Sequence, residues 1–211
     1  MGVGHITPPG VSRLVISRVL LACCLFIFSH SLWAASDTSA LLTKPKPRII
    51  ITTTLGQIEI ELAPEKAPLT VRNFLQYADR HYYDGTIFHR VIQGFLIQAG
   101  GFDRKLNAFE PGRAVKNESL DGLLNLKGSI AMARHHDPDS AKAQFYINLK
   151  DNRTLDAKYG NPGHTVFGQV IAGMEVVQNI AASKVEKISY EFVHKPVEAI
   201  EIISIRRSPA P

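Results

Sequence analysis

The sequence predicts a mainly β fold, a closed eight-stranded antiparallel β-barrel with two capping α-helices. Two observations predict it. Eight short segments between residues 48 and 206 are β-branched or alternate apolar with polar residues, and two of the intervening stretches carry apolar residues at helical spacing instead. Antiparallel strands of this length, joined by turns, close most economically into a barrel, because closure removes exposed edges.

Taken in order, residues 48–54 (RIIITTT) are β-branched and strand-like. Leu55-Gly56 can turn the chain. Residues 57–62 (QIEIEL) alternate strictly, with Ile58, Ile60 and Leu62 on one face and Glu59 and Glu61 on the other. That is the pattern of a half-buried strand, so the two runs predict a hairpin. Across residues 64–80, Val71, Phe74, Leu75 and Ala78 recur at helical spacing, and Pro68 suits a first helical turn. Asp84-Gly85 marks a tight turn. Strands are then expected at 86–92, 95–98, 129–133, 144–149 and 165–170. Met174, Val177, Ile180 and Ala181 predict a second short helix over 173–182, and residues 197–206 close the domain as a strand. Two long loops remain, 102–127 and 151–164, and loops of that length are uncommon without a job.

The first 34 residues read as a signal peptide. Arg13 and Arg18 precede an apolar core at 19–28 (VLLACCLFIF), and residues 29–35 turn small and polar. The apolar run is about half the roughly 20 residues a spanning helix needs, so no stable membrane insertion is expected after cleavage. Residues 20–23 (LLAC) resemble a lipoprotein box, but Arg18 crowds Cys23, and lipid anchoring at Cys23 is the lesser reading. Cleavage after Ala34 divides the chain into a signal (1–34), a Pro-punctuated linker (35–47), one folded domain (48–206) and a short tail (207–211). The remaining 177 residues suffice for a real core. Cys23 and Cys24 leave with the signal, so the exported domain has no disulfide to draw on. The leader also takes two arginines and no acids, which lowers the net charge from +5 to +3. With no Lys/Arg block, this argues against a nucleic-acid partner.

The densest chemistry lies at residues 82–101 (YYDGTIFHRVIQGFLIQAGG). Arg90 sits in a strand-like run, with Phe95 and Gln98 at short offsets beyond it. The set offers a fixed cation, an amide and an aromatic surface, and suits chemistry that polarises a bond without breaking it. Elsewhere, His135-His136-Asp137-Pro138-Asp139 invites a metal reading, but adjacent loop histidines rarely face one centre and no second spaced pair is near. No metal is expected. Ser129 and Ser140 have no paired base in a triad arrangement.

Tyr83, Thr86, Phe88-His89-Arg90-Val91-Ile92, Phe95-Leu96 and Gln98-Ala99-Gly100 together resemble the signature of cyclophilins, the peptidyl-prolyl cis–trans isomerases. The likeness continues in order through 128–133 (GSIAMA), 144–147 (QFYI), Leu155-Asp156, 164–168 (HTVFG) and Gly173-Met174. With its leader, the chain is similar to exported bacterial members. The resemblance implies a periplasmic isomerase of Xaa-Pro bonds that needs no cofactor. It also implies a monomer that acts on proline-containing peptides and unfolded exported proteins and assists their folding.

The resemblance assigns roles as well. Arg90 is the catalytic cation, and Gln98 holds the substrate carbonyl and steadies Arg90. Phe95, Met132, Phe145 and Leu155 form the pocket for the proline ring, with His164 lining it. The backbone of Ala133 and Arg134 pairs with the peptide. Read without the resemblance, Phe95, Met132, Phe145 and Leu155 are ordinary core residues. Three positions depart from common family patterns. Thr154 replaces a tryptophan that contacts cyclosporin in many eukaryotic members, so weak binding of that drug is expected. Arg134 stands where asparagine is frequent, and Gln93 where proline is frequent.

Overall fold

The computed structural model describes residues 1–2 and 46–208. The expected signal peptide, apart from its first two residues, lies outside the described residues, as do Cys23 and most of the linker. The fold is that of residues 46–208.

Strands β1 (Arg48–Thr53) and β2 (Gly56–Leu62) form the expected hairpin, in register from Arg48 opposite Glu61 to Thr53 opposite Gly56. Ile49 and Ile51 on β1 and Ile58, Ile60 and Leu62 on β2 are fully buried. The two glutamates on the other face of β2 meet Arg48, at 3.7 Å for Glu59 and 3.6 Å for Glu61. Helix α1 (Pro68–Asp79) comes next and buries Thr70, Val71, Phe74, Leu75 and Ala78. Then come β3 (Phe88–Ile92), β4 (Leu96–Ala99), β5 (Ser129–Met132), β6 (Phe145–Asn148) and β7 (Val166–Ala172). Helix α2 (Met174–Ala181) precedes a small hairpin of β8 (Val185–Glu186) and β9 (Lys195–Pro196), and β10 (Ile202–Arg207) ends the domain. Gly173 caps α2 at φ 82°, and a Cβ there would sit 2.2 Å from the Gln57 carbonyl oxygen, so only glycine fits this junction.

The principal core gathers the inward residues of the sheet with the apolar faces of both helices. Phe74 is its aromatic centre, with ring centroids 5.1 Å from Tyr83, 5.5 Å from Phe145 and 5.0 Å from Phe167. The buried Tyr83 hydroxyl donates to the Ala143 carbonyl at 2.9 Å, so its polar end is satisfied.

One expectation is corrected. The eight strands form a curled sheet in the order β10-β1-β2-β7-β5-β6-β4-β3, and that sheet is not closed. Between its end strands there is a single bridge, Ile87 to Glu201, with a few flanking hydrogen bonds such as Phe88 N–H to the Ile200 carbonyl at 2.9 Å. Further along β3, the Val91 N–H is taken by the His194 carbonyl at 2.8 Å. The chain leading into β10 therefore covers this edge, while β10 itself spends its ladder on β1. Edge protection is achieved by a covering segment instead of by closure.

The long 102–127 loop supplies a helix cap. Ala67 gives α1 no side-chain cap. Instead, the Glu118 carboxylate accepts the Leu69 N–H at 3.0 Å, and the Thr70 N–H and hydroxyl at 2.8 Å each. An acid at a helix N-terminus satisfies free N–H groups and complements the dipole. Glu118→Ala should lower unfolding stability by about 1–2 kcal/mol, read as an earlier urea midpoint at unchanged slope.

Candidate active site

Strand register builds the site. Cross-strand partners point to the same face of a sheet. Arg90 on β3 lies opposite Gln98 on β4, Gln98 opposite Tyr146 on β6, and Tyr146 opposite Ala131 on β5. These four side chains therefore form one row on the face turned away from the principal core. Leu96, two residues before Gln98, shares that face. Leu96, Ala131, Tyr146 and Val166 make a second buried apolar cluster, with Phe95, Leu123, Ala133 and Leu155 packed against it.

The same alternation sorts the expected pocket residues. Phe95, Leu155 and Ala133 are in this cluster, and the His164 ring lies edge-on to Tyr146 at 5.6 Å. Met132 and Phe145 are not. They face each other across β5 and β6 one residue out of phase with Ala131 and Tyr146, and both side chains are buried in the principal core. The reading of these two as ordinary core residues is the one the structure supports. Leu96 and Tyr146 occupy the slot side in their place. The period of two along each strand carried that signal: Phe145 shares parity with Ile147, and Tyr146 does not.

At the head of the row, Arg90 donates from Nη1 to Gln98 Oε1 at 3.2 Å. Gln98 Nε2 in turn donates to Gln144 Oε1 at 2.9 Å. Gln144 is a third member of the relay that sequence reasoning did not assign. Gly101 makes room for it, since a Cβ at that position would lie 2.3 Å from Gln144 Nε2. The relay fixes the guanidinium but occupies only part of its donor set, so N–H groups remain for a substrate. Half-burial draws the Arg90 pKa below its ordinary value, yet an arginine stays charged across physiological pH. Beside Arg90 and Gln98 opens a cavity of about 600 Å³ that Phe102, Phe109 and Lys142 also line, and Ala133 borders both it and the apolar cluster.

The opposite wall carries the remaining predicted residues. His164 places Nδ1 3.1 Å from the Met132 carbonyl oxygen, and its N–H donates to the Leu155 carbonyl at 2.9 Å. Burial lowers the His164 pKa, and the nearby Arg134 charge adds to this, so the ring is neutral at pH 7. The Ala133 N–H is already spent on the Gln144 carbonyl at 2.9 Å. Only its carbonyl is left to pair with a peptide. Arg134 turns its side chain onto backbone carbonyls of the neighbouring loops. His135 and His136 lie exposed, and among the described residues no group of three His, Cys, Asp or Glu side chains gathers for a metal.

Below Arg90, His89 is 5 % exposed and its Nδ1 has no hydrogen-bond partner among the described residues. Burial pushes its pKa down to about 4, and the Arg90 charge contributes in the same direction. The unfolded chain binds this proton near pH 6.5 and the folded one only near 4, so stability should fall as pH drops through that window. The slope from His89 should approach ~1.4 kcal/mol per pH unit, and His89→Gln should remove that share in urea titrations at stepped pH, leaving the smaller share due to His164, whose pKa burial also lowers. Asp84, held low by its hydrogen bonds to Arg206, loses its contribution only at lower pH, so the two effects separate.

The chain thus combines a curled antiparallel sheet and two packed helices with a cation–amide relay beside an apolar slot. The chain belongs to the cyclophilins: the family model described as cyclophilin type peptidyl-prolyl cis-trans isomerase/CLD matches residues 48–207. It is 40 % identical over 178 residues to peptidyl-prolyl cis-trans isomerase A of Dickeya dadantii, covering 84 % of this chain and 89 % of that one. It is 45 % identical over 155 residues to a peptidyl-prolyl cis-trans isomerase of Acinetobacter baylyi, covering 73 % and 81 %. Among solved structures it is similar to a cyclophilin-type isomerase of Cryptosporidium parvum, with TM-score 0.66, 27 % identity, and coverage of 79 % of this chain and 99 % of that one. That protein has also been crystallised in the presence of the dipeptide Ala-Pro. The protein is a peptidyl-prolyl cis–trans isomerase.

Proposed function

We propose that the enzyme rotates Xaa-Pro bonds at the Arg90–Gln98 relay, and that its clients are unfolded exported proteins in the periplasm. The observation that carries the site assignment is the Arg90–Gln98 contact at 3.2 Å on paired strands, next to the apolar cluster.

The chemistry stems from amide resonance, which sets the rotation barrier at roughly 18–20 kcal/mol. In the twisted state the proline nitrogen regains a localised lone pair, and a guanidinium N–H placed near it stabilises that state more than the planar one. A hydrogen bond to a charged donor is worth about 1.5–3 kcal/mol, or on the order of 10- to 100-fold in rate. The remainder of the acceleration comes from taking the amide out of water and from gripping the ring in the slot while the other arm turns. A proline ring offers only CH₂ surface, so that grip scales with buried area at ~25 cal/mol per Å². Gln98, or the free carbonyl of Ala133, would hold the peptide backbone. The cavity beside Arg90 gives room for the arm of the chain that leaves the slot.

Export is supported by the order of basic, apolar and small residues in 1–34. The test is refolding of a reduced, proline-limited secretory protein, with the mature N-terminus of the native enzyme determined by mass spectrometry. Catalytic amounts should accelerate the slow phase, and the N-terminus should begin near Ala35. An intact Met1 terminus, or a slow phase at the buffer rate, contradicts the proposal. Thr154, exposed on the turn before Leu155, offers no aromatic face, so cyclosporin should bind weakly. A titration showing submicromolar inhibition would refute that expectation.

A further inference from the structure

Arg134 holds a place that neither the relay nor the slot explains. It comes directly after Ala133, which lines the slot, and its side chain reaches back across the site. Nε donates to the Gly163 carbonyl at 3.0 Å and Nη2 to the Pro162 carbonyl at 3.0 Å. Nη1 donates to the carbonyls of His135 at 2.9 Å and His136 at 3.2 Å. One planar group therefore joins two separate loops, 135–136 and 162–163, through four backbone oxygens.

Both loops end on the slot. Ala133 and Arg134 are adjacent in the chain, and Gly163 immediately precedes His164. Gly163 is itself fixed on every side. Its N–H donates to Ser119 Oγ at 2.8 Å, its carbonyl also accepts from Asn117 Nδ2 at 3.0 Å, and a Cβ on it would lie 2.4 Å from the Leu155 carbonyl oxygen. The guanidinium is therefore one tie between the His164 wall and the Ala133 wall, beside the contact of His164 Nδ1 with the Met132 carbonyl and the Met132 N–H to the Thr165 carbonyl at 3.0 Å, and Leu155 follows through the His164 backbone N–H.

We infer that Arg134 is a positioning residue, which sets the width of the proline slot by tying the His164 wall to the Ala133 wall. This rests on the placement of the slot under the proposed function. Five N–H groups in a rigid fork are needed for the task, and a lysine, with three donors on one atom, cannot span both loops. Arg90 sits on β3 outside this staple, and its partner Gln98 shares no hydrogen bond with Arg134 among the described residues, so the relay should survive substitution of Arg134.

The test compares wild type, Arg134→Met and Arg134→Lys by steady-state kinetics on a short Xaa-Pro peptide, with a thermal melt of each protein. The expected result is a KM about tenfold higher in both variants with kcat within about twofold of wild type. Either variant that is folded at the assay temperature is sufficient to read the split. Wild-type KM in Arg134→Lys would show that charge alone serves, and would overturn the inference. So would a lowered melting temperature with KM unchanged, the mark of a residue that only stabilises the loops. A wild-type protein that turns over the peptide no faster than buffer removes the isomerase site itself, and this inference with it. Normal wild-type turnover with an unmoved KM in the variants sinks the inference alone.

Discussion

Arg90→Ala is expected to lower kcat/KM for a short Xaa-Pro peptide by about 10- to 100-fold while leaving the protein folded. The figure is the value of one charged hydrogen bond made only in the twisted state, about 1.5–3 kcal/mol. Because the interaction is absent from the planar ground state, the loss should fall on kcat, with KM little changed. Stability should hold, because the guanidinium is half-buried and Gln98 is its one side-chain hydrogen-bond partner among the described residues. Gln98 keeps Gln144 as its own partner in the variant. A rise in KM with kcat intact would instead assign Arg90 to ground-state binding.

Asn125→Ala should cost about 3 kcal/mol of stability. Asn125 is fully buried beneath the slot. Its Oδ1 accepts from the Tyr146 hydroxyl at 2.7 Å and from Asn148 Nδ2 at 3.2 Å, and its Nδ2 donates to Asp156 Oδ1 at 3.1 Å. Truncation strands the buried Tyr146 hydroxyl, at about 1–3 kcal/mol, and takes one of two acceptors from Asn148 Nδ2, which retains Ser129 Oγ at 2.8 Å. For a domain of this size the melting temperature should fall by roughly 6–12 °C. Burial raises the Tyr146 hydroxyl well above its ordinary pKa, so it remains a donor at all working pH values. Tyr146→Phe removes the stranded hydroxyl, so the double variant should be less destabilised than the sum of the singles. Strict additivity would show that the hydroxyl and the amide do not act on one another.

The strands were legible because their patterns are local. The alternation in 57–62 and the β-branched run at 48–54 each became a strand within a residue or two of the expected limits. The helix over Val71, Phe74, Leu75 and Ala78 buries that very set. What the sequence hid was non-local. The cap on α1 comes from Glu118, 48 residues beyond Thr70, and no local box announces it. The Asn125–Asn148–Asn152 network joins the 102–127 loop to β6 and the turn beyond it, with Asn152 Nδ2 donating to Asn148 Oδ1 at 2.7 Å. Closure failed as an expectation because strand count does not say which segment covers β3. In the site, the motif placed Arg90, Gln98, Phe95, Leu155 and His164 together. It misplaced Met132 and Phe145 because motif order ignores parity, whereas a one-residue step along a strand moves a side chain through the sheet.

A fixed positive group beside an apolar slot should lower the barrier to rotation about the bond preceding proline. Exchange NMR on an Xaa-Pro peptide tests this most directly, because cis and trans signals are seen separately and their interconversion is measured without a coupled reaction. With wild type and Arg90→Ala each saturated with peptide, exchange should be at least about tenfold faster on the wild-type protein. Equal exchange rates on the two proteins would contradict the role given to Arg90.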